Sequence, residues 1–105
     1  MSNPRKWALV LGASSGFGEA ISLALARAGR NVFGVHLDRR STLPNVERIQ
    51  GEIAAAGGKA VFFNVNAADA EKRAEVVAEM KRVLAGEGVP DGIDVLVHSL
   101  AFGTL

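Results

Sequence analysis

The sequence has no cysteine and no tyrosine, and only one tryptophan, two histidines and three prolines in 105 residues. Without cysteine, neither disulfides nor thiolate metal sites can form, which fits a reducing compartment. His36 and His98 stand far apart, with no His-x-x-x-His or paired-carboxylate spacing around them, so no metal site is expected. An excess of one charge is missing too. Twelve Lys and Arg against eleven Asp and Glu leave a net charge of +1, without the bulk basic footprint that nucleic acid or anionic lipid would need. No apolar run exceeds the length of a strand, which argues against a membrane span. Met1 to Lys6 is short and polar, unlike the start of a signal peptide. A cytoplasmic protein with no nucleic-acid or membrane partner is expected.

What is present is a chain 49% hydrophobic and 22% charged with 12 glycines, the composition of a soluble α/β protein and, at this length, of one domain at most. "KWALVLG" (6–12) is an apolar run closed by glycine, the form of a strand buried on both faces. "FGEAISLALARAG" (17–29) then reads as a helix, with Ala20, Ile21, Leu23, Ala24 and Leu25 on a broad apolar stripe and Gly29 as its C-cap. "NVFGVHL" (31–37) is a second buried strand. A second helix follows, with Ser41 or Thr42 as cap, Pro44 in its first turn, and Val46, Ile49, Ile53 and Ala56 at helical spacing before Gly57-Gly58. "KAVFFNV" (59–65) is a third strand. The third helix turns Val76, Met80, Val83 and Leu84 inward and presents a solvated face of mixed charge, and "IDVLVHSLAF" (93–102) is a fourth strand. Strands alternating with helices imply a doubly wound (Rossmann) α/β fold, with about four parallel strands in the order 3-2-1-4 and flanking helices.

The turn after the first strand, "LGASSGFG" (11–18), has two readings. Gly12-Ala13-Ser14-Ser15-Gly16 fits the G-x-S-x-G elbow of serine hydrolases, and acids and His98 follow in the order serine, acid, histidine. However, the serine follows the first strand, so no earlier loop exists to build the oxyanion hole. Asp94 and His98 lie four residues apart on one strand, about 13 Å at roughly 3.3 Å per residue, so another acid such as Asp38 or Asp69 would have to serve. The second reading uses all three glycines. Gly12 permits the tight exit from the strand, Gly16 lets a phosphate approach the backbone, and Gly18 lets the helix pack closely. Backbone N–H groups around Phe17 and Gly18 would then meet a pyrophosphate at the helix N-terminus, with Ser14 and Ser15 as hydrogen-bonding turn residues.

With these elements in place, the chain resembles a short-chain dehydrogenase/reductase over essentially its whole length. "GASSGFG" resembles that family's glycine motif. "FNV" (63–65) falls where the family has Asp-Val beside the adenine, which implies cofactor contact for Asn64 and Val65. "IDVLVHSLAF" falls where many members carry Asp-Asn-Ala-Gly or Asn-Asn-Ala-Gly, and instead resembles the His-Ser-Ile-Ala-Phe stretch of enoyl-acyl-carrier-protein reductases. Ser99, Leu100 and Ala101 are thereby placed in the strand-end loop beside the cofactor. The glycine motif points to the 3-oxoacyl-type members and the fourth strand to the enoyl branch, and both remain open. The family's catalytic Tyr and Lys lie after the next strand and helix, and this chain has no tyrosine. Residues 1–105 are therefore expected to be a partial dinucleotide-binding domain, truncated, proteolysed or missing its later part, with no catalytic residue of its own.

The resemblance implies an NAD(P)-dependent oxidoreductase passing hydride to a carbonyl or enoyl substrate. Small-molecule substrate would be engaged only with the C-terminal part, and the full-length protein is expected to be a homo-oligomer. The alternative is a non-catalytic nucleotide-binding sensor or regulatory module. For the cofactor, an acid about 20 residues beyond the glycine loop selects NAD by holding the ribose hydroxyls. His36 stands at that position and Asp38 just beyond it, followed by Arg39 and Arg40, whose guanidinium groups suit a 2′-phosphate. NADP is favoured, with NAD as the alternative. His98 is expected to be a hydrogen-bonded core residue, and Phe62, Phe63 and Phe102 core or pocket wall.

Overall fold

A computed structural model describes residues 5–89 and 91–99. Four strands, β1 (Trp7–Leu11), β2 (Asn31–His36), β3 (Ala60–Asn64) and β4 (Ile93–His98), form one parallel sheet in the order β3-β2-β1-β4, as the alternation of elements predicts. The helices are α1 (Gly16–Arg27), α2 (Leu43–Ala55), preceded by a single 3-10 turn at Arg40–Thr42, and α3 (Ala70–Gly86). Parallel strands require long crossovers, and these put helices on both faces of the sheet.

Each face has its own core. Under α1 and α2 lie Val10, Ala13, Leu23, Ala26, Val32, Ile49 and Ile53. On the other face Trp7, Phe33 and Val35 pack against Val76, Met80 and Leu84 of α3, with Trp7 stacked on Phe33 at 4.1 Å between ring centroids. Burial of β2 along its whole length explains its unbroken apolar character, since it is flanked by β1 and β3 and covered on both sides. Gly34 at its centre makes room for the Phe62 ring: a Cβ there would stand 2.7 Å from a ring carbon.

The helix positions correct one expectation. The buried residues of α1 are Gly18, Ser22, Leu23 and Ala26, whereas Ala20 and Ala24 face solvent. Three small residues at four-residue spacing form the contact stripe, because α1 must lie almost against the chain leaving β1. The expected inward residues of α2 and α3 are in place, apart from Ala56 and Val83, which are half-buried. Thr42 occupies the N-cap position of α2 without a side-chain capping bond, and Asp69 caps α3 by accepting from the Lys72 N–H. Arg5, just before β1, donates to the carbonyls of Ala26, Arg30 and Gly57, gathering acceptors left open where α1 and α2 end.

The fourth strand runs as described only to His98, with Ser99 following it. Leu100, Ala101 and Phe102 lie outside the described residues. His98 is exposed, not buried in the core as expected, because α3 does not cover that end of β4; Leu96 on the same face is 66% exposed. Among the described residues no helix is long and apolar enough to cross a membrane.

Candidate functional site

The carboxyl ends of β1, β2, β3 and β4 converge on one edge of the sheet, and the residues singled out in the sequence gather there. Gly12 leaves β1 at φ +86°, a conformation that glycine adopts freely. The N–H groups of Gly12 and Ala13 both donate to the Val35 carbonyl, at 2.8 and 3.1 Å, which ties the turn to the end of β2. Ser15 is the N-cap of α1: its Oγ accepts from the Gly18 N–H at 3.0 Å and donates to the Gly12 carbonyl at 2.8 Å.

The three glycines answer to different constraints. A Cβ on Gly18 would stand 1.8 Å from the Gly12 carbonyl oxygen and 2.7 Å from its carbon, so only glycine lets α1 start this close to the turn. Gly12 is set by its positive φ. Gly16 has neither reason: among the described residues nothing lies within 4 Å of its ideal Cβ, and its φ is not positive. The fold leaves that position open to solvent, at a helix start where unpartnered N–H groups face outward. The Gly18 N–H, expected to point at an anion, is instead satisfied by Ser15, which leaves the N–H groups of Gly16 and Phe17 as the outward donors. Phe17 itself is 77% exposed.

At the end of β2 a compact polar cluster forms around Asp38. Its Oδ1 accepts from Ser14 Oγ at 2.5 Å and lies 3.0 Å from His36 Nδ1, while the Thr42 hydroxyl donates to the Arg39 carbonyl at 3.0 Å. Burial of this carboxyl would raise its pKa, but its hydrogen bonds, that from Ser14 foremost, and the adjacent His36 outweigh that and hold it below the usual carboxylate range. Asn64, at the end of β3, clamps the backbone of the same residue, accepting from the Asp38 N–H at 2.9 Å and donating to its carbonyl at 3.1 Å. An Asp at position 64 could do only the first of these. Val65 donates its N–H to the His36 carbonyl at 2.8 Å. Arg39 and Arg40, which follow immediately, are exposed.

From the fourth strand, Ser99 donates its N–H to the Leu11 carbonyl at 2.8 Å, and its hydroxyl lies 3.4 Å from that of Ser15. The glycine turn, the ends of β2 and β3 and the residue after β4 thus form one continuous surface. Beneath it, a cavity of about 630 Å³ opens beside α3, with Leu11, Leu37, Val65, Arg73, Met80 and His98 among its walls. The sequence reading placed Val65 at the site but gave no place there to Leu37, Arg73 or Met80, which also line this cavity.

The arrangement removes the hydrolase reading. Ser14 donates to a carboxylate oxygen, and the imidazole of His36 reaches that same oxygen, not the serine hydroxyl. A nucleophilic serine needs the base next to it and the acid behind the base. Here the carboxylate stands between the serine and the imidazole, so the Ser14 hydroxyl donates to the acid and not to an imidazole base.

Comparison with known proteins gives a consistent picture. The family model described as short chain dehydrogenase matches residues 6–102. The chain is 37% identical over 94 residues to a 3-oxoacyl-(acyl-carrier-protein) reductase of Staphylococcus aureus, a match covering 90% of this chain and 35% of the reductase. It is 36% identical over 94 residues to the "Probable oxidoreductase EphD" of Mycobacterium tuberculosis, covering 90% of this chain and 14% of that protein. Among solved structures, a metagenomic short-chain oxidoreductase in complex with NADP superposes with a TM-score of 0.65 at 32% identity, over 87% of this chain and 37% of that one. The chain therefore spans about a third or less of the length of these relatives.

Proposed function

The chain belongs to the short-chain dehydrogenase family, and on that premise we propose that its strand-end surface cradles the pyrophosphate and adenosine of a dinucleotide, NADP in preference to NAD, for an oxidoreductase that transfers hydride to a carbonyl or enoyl substrate. The observation that carries this reading is Gly16. It is a glycine at a helix start that the fold does not need, beside outward N–H donors, and a phosphate approaching the backbone is what would require it. When bound, the nicotinamide supplies the hydride.

The chain's own residues divide the binding work. Gly16 and Phe17 offer N–H donors to the pyrophosphate. Ser15 keeps the helix start rigid through its bonds to Gly12 and Gly18. Val65 and Leu37 provide apolar surface beside the position for the adenine, and Ser99 closes the turn side with Leu100 and Ala101 next in sequence. The preference for NADP is supported by Asp38, whose side chain is only 11% exposed and already engages Ser14 and His36, while Arg39 and Arg40 are exposed just beyond it. A fixed guanidinium fork suits a phosphate, whereas a carboxylate with its lone pairs engaged is a poor ribose ligand.

The test is titration of the purified chain with NADPH and NADH, followed by nucleotide fluorescence. Arg39→Ala and Arg40→Ala should each weaken NADPH about tenfold, the scale of one charge-assisted hydrogen bond, and NADH by less than twofold. Equal losses for the two nucleotides would refute the phosphate assignment.

A further inference from the structure

His36 is the last residue of β2, and 4% of it is exposed. Its ring centroid lies 5.9 Å from that of Phe62, and its Nδ1 is 3.0 Å from Asp38 Oδ1. Asp38 is held by its carboxylate from Ser14 and His36 and by its backbone from Asn64, so the ends of three strands fix one residue. Ser14 is half-buried and Asn64 exposed, and a hydrogen bond from such a group is easily exchanged for one to water. His36 is different: its ring is sequestered, so losing its bond to Asp38 would leave a buried nitrogen without that partner. The imidazole is thus the anchor that makes the inward position of the carboxylate persistent.

We propose that His36 is a positioning residue for cofactor choice: it holds the Asp38 carboxylate into the fold and so withholds the group that would otherwise accept the hydroxyls of an unphosphorylated adenosine ribose. The inference rests on the dinucleotide reading above and adds the reason that an acid two residues beyond the strand end does not select NAD. A carboxylate released from the imidazole does two things at once. It gains lone pairs and reach for the ribose hydroxyls, and it brings a negative charge toward the place where a 2′-phosphate would sit. The two effects move the ratio of affinities in the same direction, which overall loosening of the domain would not do.

The experiment measures dissociation constants for NADPH and NADH on the full chain carrying His36→Leu, His36→Asn and Asp38→Asn, singly, and on the double variant that combines His36→Leu with Asp38→Asn. His36→Leu should lower the preference for NADPH over NADH about tenfold, the scale of one hydrogen bond to a charged group. His36→Asn can place its Nδ2 where the imidazole Nδ1 stood and should keep the ratio within about twofold of the wild type. In the Asp38→Asn background the leucine should change the ratio by less than about twofold, because the group that it releases is gone. A ratio unmoved by His36→Leu, or an Asn variant that behaves like the Leu variant, overturns the proposal. If His36→Leu does not fold, Asp38→Asn alone decides: NADH affinity within about twofold of wild type upholds the inward carboxylate, and a tenfold loss shows that Asp38 already serves the ribose. Failure of the underlying reading looks different, since the wild-type chain would then bind neither nucleotide, or bind NADH more tightly, and either result overturns this proposal with it.

Discussion

Replacing Gly16 by alanine separates what the fold requires from what a ligand requires. Gly16 is the first residue of α1, its φ is not positive, and a Cβ there meets no atom of the described residues within 4 Å. Alanine gains helix propensity over glycine, up to about 1 kcal/mol in a helix interior and less at the first position. The melting temperature should therefore stay the same or rise by at most roughly 6 °C in a chain of this size. Dinucleotide binding should move the other way. A methyl group between the pyrophosphate and the N–H donors of Gly16 and Phe17 would cost two hydrogen bonds to a charged acceptor, at about 1.5 kcal/mol each, which together weaken binding more than 100-fold. Circular dichroism melts and NADPH fluorescence titrations on the same preparation read both quantities. Gly18→Ala is the contrast. Its Cβ would overlap the Gly12 carbonyl oxygen by more than 1 Å, and backbone cannot yield as a side-chain tip can, so about 4 kcal/mol or more of stability should be lost together with binding. The reasoning is refuted if Gly16→Ala binds NADPH within about threefold of wild type, or if it melts markedly lower than wild type.

Three further outcomes are expected. Asn64→Asp keeps the acceptor for the Asp38 N–H but loses the donor to the Asp38 carbonyl and sets a carboxylate against it; urea unfolding should show about 1 kcal/mol of destabilisation, and an unchanged midpoint would count against the clamp. The pKa of Asp38 is lowered in the folded chain, so its contribution to stability is present above the unfolded carboxyl pKa of about 4 and is lost as pH falls through the lower folded value. Ser14→Ala should therefore cost roughly 1–2 kcal/mol at pH 7 and less once pH has fallen through the folded value, and a cost independent of pH would contradict the assignment. Leu96 is 66% exposed on β4, which has no further neighbour in the sheet among the described residues; sedimentation should show concentration-dependent self-association of the 105-residue chain that Leu96→Lys reduces, and a wild-type chain monomeric at every concentration would remove that expectation.

Much of the architecture is legible in the sequence. The glycine spacing in "GASSGFG", the apolar strands 7–11 and 31–36 and the helical spacing of Val46, Ile49 and Ile53 are local signals, because side-chain periodicity and glycine punctuation act within one turn or one strand. The alternation of these elements leaves few topologies open, and the order 3-2-1-4 followed from it. The inward face of α1 was less legible: its periodic leucines and alanines suggested one stripe, but the contact with the turn after β1 selected Gly18, Ser22 and Ala26, since only small residues fit so close an approach.

The sequence by itself determined that this chain makes a parallel α/β sheet with a glycine turn at the first strand end, and which polar residues would be near that end. Only the tertiary structure decided how those residues are used. Ser14 and Asp38 are 24 residues apart, Asp38 and Asn64 are 26, and Arg5 reaches carbonyls 21 to 52 residues away. Separations of that size carry no periodic signal. They close because parallel strands return their carboxyl ends to one edge of the sheet, so whether Asp38 faces a ribose or the interior depends on what two other segments bring to it.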